Sequence, residues 1–271
     1  MWSPTRKQRW VADVAPPGID TSRPNIARVY DYLLGGKDNF AADREQAAQL
    51  LKMNPGMEKW ARSNRAFVVA AAARAAREGG VAQFLDLGSG LPSRPAVHET
   101  VREVNPDARV AYVDFDQVAV LHSQALLASA HGIAAFQGDL TDPGAVLADP
   151  ALAKVIDLTQ PVGVILAAVA HFLPAEVMRA TTAAYLAAIP AGSWLMISAG
   201  HAEDDDPDAE LRPAYTAADA YRHTHEEFAS FFTGTRIVPP GIAEARRWIA
   251  GVTAPPPDHG LYVRCGVGIK S

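Results

Sequence analysis

Phe84-Leu85-Asp86-Leu87-Gly88-Ser89-Gly90 is the stretch whose reading decides the fold. Three apolar residues around one acid read as a short buried strand, and the two glycines end it in a tight turn. A Gly-Ser-Gly turn has almost no side-chain bulk, so the backbone there can lie directly against a ligand. Asp86 is the odd member, because a carboxylate in a buried strand is costly unless something satisfies it. Alone, the stretch also fits a surface strand running into a flexible loop. The chain downstream separates the two readings, because it repeats strand, acid and turn at the spacing of βαβ units.

Arg109–Val113 forms the second such strand and ends in Asp114-Phe115-Asp116; Ile133–Gln137 forms the third and ends in Gly138-Asp139. Val162–Val169 is a continuous apolar run, as a central parallel strand covered on both faces requires. Ser193–Ser198, Thr235–Val238 and Leu261–Val267 bring the expected sheet to about seven strands. Asp142-Pro143 and Asp149-Pro150 read as helix starts, with Asp as cap and Pro in the first turn. The acidic run Glu203–Asp208 reads as a solvated loop.

Upstream the period is helical. Asn25 caps a helix whose Ile26, Val29, Tyr30, Leu33 and Leu34 share one face, and Gly35-Gly36 stops it. A second helix runs to about Met53 and an Ala-rich third to Glu78, before Gly79-Gly80. The expected organisation is a mobile arm over 1–23, a helical cap over 24–80, and a doubly wound α/β domain over 81–271.

Composition narrows the class. The chain has 271 residues, 49% hydrophobic and 20% charged, which suits a globular protein with a sizeable core. A net charge of −5 argues against a broad nucleic-acid-binding face. The lone Cys265 excludes an internal disulfide and fits a reducing compartment. No apolar run follows Arg6, Lys7 and Arg9, so no signal peptide is expected, and Val162–Phe172 is about half a membrane span. A cytoplasmic protein without membrane or nucleic-acid partners is expected; the oligomeric state is not legible.

In such a sheet the ligand lies outside the carboxyl ends of the strands, where strand order reverses. A dinucleotide fingerprint requires a third glycine where this chain has Ser93, and Asp86 would repel a pyrophosphate. An acid at that strand end suits a ligand with a positive end, such as an ammonium or sulfonium. Ser89 does not form a nucleophile elbow, since Leu87 stands where that motif has glycine.

This D-x-G-x-G turn, with an acid after the second strand and Gly-Asp after the third, resembles the class I S-adenosylmethionine-dependent methyltransferases. Pro24-Asn25-Ile26-Ala27-Arg28-Val29-Tyr30-Asp31-Tyr32-Leu33-Leu34-Gly35-Gly36-Lys37-Asp38-Asn39-Phe40-Ala41-Ala42-Asp43 is similar to the opening signature of an actinobacterial S-adenosyl methyltransferase family of unassigned substrate. Arg62–Phe67, Phe84–Pro92, Tyr112–Asp114 and Gly138–Pro143 are similar to that family's later blocks. The resemblance implies a Rossmann-like methyltransferase sheet that uses S-adenosyl-L-methionine. It implies that Asp86, Gly88 and Gly90 line the methionine end, that Asp114 bonds the ribose hydroxyls, and that Asp139 bonds the adenine amino group with Leu140 on the ring. Ser89 and Phe115, in the same turns, join the cofactor-binding set. Pro92 departs from the pattern, since many class I enzymes have a third glycine there.

Several positions keep two readings. Asp116 is either a ligand-site acid or a helix cap, and Asp142 reads as a cap. His171 is either a general base near the transferred methyl or a half-buried histidine bonded to backbone. His223-x-His225 lacks a third metal ligand nearby, and no metal is expected. Tyr32, Lys37, Asn39, Asn64 and Arg65 either close the site over the cofactor carboxylate or acceptor, or cap helices and pair with Asp31, Asp38 or Asp43. The expected activity is methyl transfer to an unidentified small-molecule acceptor. The alternatives are a non-catalytic sensor of S-adenosylmethionine or its demethylated product, and a nicotinamide reductase, which the missing third glycine disfavours.

Overall fold

The computed structural model describes residues 20–127, 130–202, 220–249 and 261–271. The expected arm therefore lies outside the described residues up to residue 19, as does the acidic run Glu203–Asp208.

Eight strands form one sheet among the described residues, in the order β3-β2-β1-β4-β5-β8-β6, with the short β7 also paired to β8. The strands are β1 (Gln83–Leu87), β2 (Arg109–Asp114), β3 (Ile133–Gln137), β4 (Gly163–Ala167), β5 (Trp194–Ala202), β6 (Thr235–Ile237), β7 (Ala243–Glu244) and β8 (Leu261–Lys270). β1 to β5 are mutually parallel, whereas β8 runs antiparallel to β5, β6 and β7. Strand order reverses between β1 and β4, so a crevice opens at their carboxyl ends. β7 adds the strand that the sequence pattern does not show; two residues are too few for a period.

Period-two alternation divides the core between the two faces. Phe84, Val110, Tyr112, Ile165, Trp194 and Met196 pack toward α1 (Ile26–Leu33), α2 (Ala41–Met53), α3 (Met57–Gly79) and α4 (Val97–Val104). Leu85, Leu87, Ala111, Val113, Val164 and Leu166 pack on the opposite face. That face is covered by α6 (Pro143–Ala148), α7 (Pro150–Ala153), α8 (Ala175–Ala188) and α9 (His225–Ser230). α5 (Gln117–Leu127) follows β2. Asp142 and Asp149 cap α6 and α7 by accepting from Ala145 and Ala151 N–H groups, with Pro in each first turn.

The N-terminal helices are fastened to the sheet. α3 packs directly against β4, β5 and β8, and Trp60 Nε1 donates to the Tyr262 carbonyl at 3.2 Å. Arg28 and Asp43, buried at 3% and 0% exposure, form an ion pair of 2.8 Å between α1 and α2. Asp43 also accepts the Asn25 and Phe40 N–H groups, each at 2.8 Å. Much of the unusual opening signature therefore builds one buried polar latch, in which every charge is paired or hydrogen-bonded.

Candidate functional site

A cleft of about 450 Å³ lies along the carboxyl ends of β1 to β4 and is roofed by α1 and α3. Its floor is the turn after β1. Gly88 and Ser89 donate to the Val113 carbonyl at 2.8 and 3.1 Å, which ties the turn to β2. Gly88 sits at φ +70°, and a Cβ there would come within 2.5 Å of Val169 Cγ1. Only glycine lets the backbone pass so close to β4 in that conformation.

Asp86 shares the face of Phe84 and lines the cleft. No described residue hydrogen-bonds its carboxylate, and burial pushes its pKa up to about 7, against the pull of the Arg65 guanidinium. Arg65, on α3, donates from Nε to the Pro95 carbonyl at 3.0 Å. Asp114 ends β2 and accepts from the Gly90 N–H at 2.7 Å and the Asp116 N–H at 2.9 Å. Burial nevertheless raises its pKa, more than these donors lower it. Each Asp114 oxygen accepts one bond here, which leaves lone pairs for a ligand hydroxyl.

Asp116 faces two ways. Its Oδ1 accepts from Val118 N–H at 2.7 Å, capping α5, and its Oδ2 takes a short hydrogen bond from Asn25 Nδ2. The structure shows the cap, adds a tie to α1, and also sets Asp116 on the wall of the cleft. Asp139 and Leu140 line the cleft beyond β3, with Asp139 Oδ1 accepting from Thr141 N and Oγ1 at 2.8 and 2.7 Å. Phe115 stands 67% exposed at the rim, an aromatic face offered to a planar group.

The structure thus brings Asp86, Gly88, Ser89, Gly90, Asp114, Phe115, Asp139, Leu140, Arg65 and His171 to one cleft. Tyr32, Lys37 and Asn39 are not among its lining residues. Asn39 is buried, and its Nδ2 donates to Asp31 Oδ2 at 2.9 Å; the same oxygen accepts the Asp38 N–H. That carboxylate organises the α1–α2 connection, and at Gly36 a Cβ would sit 1.9 Å from its Oδ1. Lys37 is exposed, and Tyr32 packs on the core of the α1–α4 face.

His171 lines the cleft on the one-turn helix after β4 and is 2% exposed. Burial, aided by His223, holds its pKa down at about 3. Its Nδ1 accepts the Gly200 N–H at 3.2 Å, so the neutral ring carries its proton on Nε2. Such a neutral imidazole is bonded to backbone at Nδ1 and offers a donor at Nε2. His223 Nε2 contacts the Ala170 carbonyl at 2.9 Å, and the Tyr221 N–H donates to the His171 carbonyl at 2.7 Å, which fastens this segment over β4.

Sequence reasoning missed Trp60, Phe172 and Leu173 as cleft residues and placed Tyr30 only on the apolar face of the first helix. Asn64 carried a signal, being an amide at the helical spacing of Trp60 and Val68. It accepts from Ser198 Oγ and donates to Tyr30 Oη at 2.8 Å. Ser198 Oγ in turn accepts the N–H of Ala168, a non-glycine residue at φ +56° directly after β4. A side-chain relay from α1 and α3 therefore pins the turn that ends β4.

A family model described as S-adenosyl methyltransferase matches residues 12–271. A methyltransferase candidate from Thermobifida fusca YX is 37% identical, with 94% of this chain and 98% of that chain covered at a TM-score of 0.88. A DUF574 family protein from Streptomyces avermitilis is 34% identical, with 93% and 99% covered at a TM-score of 0.85. Magnesium protoporphyrin IX methyltransferase from Synechocystis, solved with S-adenosylhomocysteine, is 13% identical over 90% of this chain and 98% of that one. Its TM-score of 0.52 is a likeness of fold alone. No curated protein matches the chain.

Proposed function

The chain belongs to the S-adenosyl methyltransferase family, and from that premise we propose how its residues divide the task. It is a methyltransferase that uses S-adenosylmethionine, and no observation favours a non-catalytic sensor. When bound, that molecule supplies a methyl group on a sulfonium, which passes to an acceptor lone pair as the C–S electrons return to sulfur.

The residues present fit such a ligand, and one observation carries the reading. Asp86 is a buried carboxylate with no hydrogen-bonding partner among the described residues, beside a turn only glycine can make. An ammonium satisfies that acid. In our reading Asp86 takes the amino end of the methionine moiety and Arg65 its carboxylate. Asp114 accepts the ribose hydroxyls, while Phe115 and Leu140 flank the adenine, and Asp139 holds its amino group. Gly88, Ser89 and Gly90 let the backbone lie against the chain between them. The division at residue 80 is likewise a proposal, with α1 and α3 as the roof that excludes water. In this reading the acceptor is a small molecule, because the cleft has a volume of about 450 Å³ and is roofed by α1 and α3. A buried, unpaired Cys265 and the absence, among the described residues, of any helix able to cross a membrane support a cytoplasmic site. The similar chains from Thermobifida fusca and Streptomyces avermitilis come from actinobacteria, which supports such an origin here.

The test is calorimetric titration of the full chain with S-adenosylhomocysteine and, separately, with NADH. Saturable heat with the first and none with the second is expected. NADH binding without S-adenosylhomocysteine binding would overturn the residue roles.

A further inference from the structure

The cleft is chemically divided along the sheet edge. Its carboxylates, Asp86, Asp114, Asp116 and Asp139, all lie in or just after β1, β2 and β3, and its lone cation among the described lining residues, Arg65, acts on Asp86. Beyond β4 the lining changes to Val169, His171, Phe172 and Leu173, faced from the helices by Tyr30 and Trp60. None of these described residues carries charge, since burial holds His171 neutral.

The rings in this half are contiguous. Tyr30 and Trp60 meet edge to face at 6.2 Å, Trp60 and His171 at 5.8 Å, and His171 and Phe172 lie 4.2 Å apart between centroids. Their polar atoms are turned into the protein. Tyr30 Oη donates to the Ala61 carbonyl at 3.0 Å while accepting from Asn64, Trp60 Nε1 donates to Tyr262, and His171 Nδ1 accepts from Gly200. The aromatic lining thus presents ring faces and edges, with the Nε2–H of His171 as its remaining ring donor.

We propose that this half of the cleft is the acceptor subsite and that it takes a neutral, planar aromatic molecule, not an anionic or cationic one. The inference rests on the assignment of the acidic half to the cofactor. A charged acceptor placed here would lose its hydration among residues that carry no charge, and Arg65, the cation that also acts on Tyr30, is assigned to the cofactor carboxylate. A flat neutral ring system would bury its faces against the aromatic lining at little cost in conformational freedom.

The experiment uses the full chain saturated with S-adenosylhomocysteine at pH 7 and three probes of one shape: 2-naphthol, 2-naphthoate and 2-naphthylmethylamine. Binding is read by calorimetry, so no turnover is needed. The neutral naphthol is expected to bind at least tenfold more tightly than either charged probe, and Phe172→Ala to weaken it about tenfold. A charged probe that binds as tightly as naphthol, or three probes without heat, would overturn the proposal while leaving the cofactor site intact. If S-adenosylhomocysteine itself gives no heat, the cofactor assignment fails and the division of the cleft falls with it.

Discussion

Asp86 makes cofactor binding a proton-linked event. With its pKa near 7, the carboxyl is about half protonated at neutral pH in the unliganded protein, and only the ionised form receives an ammonium. The ionised fraction is about 0.1 at pH 6 and about 0.9 at pH 8. Affinity for S-adenosylhomocysteine should therefore rise about tenfold between those values, and binding at pH 7 should release about half a proton. Calorimetry in buffers of different ionisation enthalpy reads both quantities. Asp86→Asn removes the charge at nearly constant volume and should abolish the pH dependence while weakening binding tenfold or more. The stability of the unliganded protein moves the other way. A folded pKa raised from 3.8 to about 7 gives stability that is fully present below 3.8 and lost as pH rises to about 7, about 4 kcal/mol in all. His171 opposes it, because a histidine depressed from 6.5 to about 3 stabilises above 6.5 and loses that contribution as pH falls toward 3. In the wild type the two slopes nearly cancel between pH 6.5 and 4. Asp86→Asn should be more stable than the wild type at pH 8 and should then lose about 1.4 kcal/mol per pH unit below 6.5 from His171. An affinity that stays flat from pH 6 to 8, with no buffer dependence of the heat, would refute the reasoning.

Four further variants probe other contacts. Asp114→Ala should cost ten- to a hundredfold or more in S-adenosylhomocysteine affinity, through charge-assisted bonds of about 1.5–3 kcal/mol each. Asp116→Ala should cost about 1 kcal/mol of stability through its α5 cap, so calorimetry and thermal melting should rank the two variants in opposite orders. Gly88→Ala, forced against Val169 at φ +70°, should lower thermal stability by about 1–3 kcal/mol and cripple cofactor binding; a variant that melts and binds like the wild type would contradict the close approach described. Arg28→Ala leaves the fully buried Asp43 without its ion partner and should destabilise the protein by about 3–5 kcal/mol in denaturant melts, without altering the chemistry of the cleft.

The sheet was largely legible because its strands obey a short local rule. Apolar runs with an acid or glycine at the carboxyl end marked β1, β2 and β3, and Asp-Pro pairs marked the starts of α6 and α7. Val162–Val169 overran β4 because composition does not show that Ala168 turns into the left-handed region. What stayed hidden depends on contacts between distant residues. Lys37 and Asn39 looked like ligand chemistry, but the partner of Asn39 is Asp31, whose burial is set by folding of the α1–α2 connection. His171 looked like a base, yet its protonation is decided by burial beside Trp60 and His223, residues far from it in sequence. Tyr30 showed only as one of an apolar stripe and Trp60 not at all, since a helical stripe does not reveal which of its apolar positions faces a cleft.

The placement of β8 has a consequence for how the molecule forms. β8 follows β6 and β7 in sequence yet lies between β5 and β6, and among the described strands it alone joins β6 and β7 to the sheet. It also backs α3, the helix that carries Trp60, Asn64 and Arg65. The parallel core from β3 to β5 can assemble from neighbouring βαβ units, but the aromatic end of the cleft must wait for a strand roughly two hundred residues downstream of Trp60. Closing so long a loop is entropically slow, and until it closes the β5 edge presents unpaired backbone groups. Refolding should thus show an early phase in which the acidic turns have formed and a late one, set by β8 insertion, in which the ring-lined half takes shape.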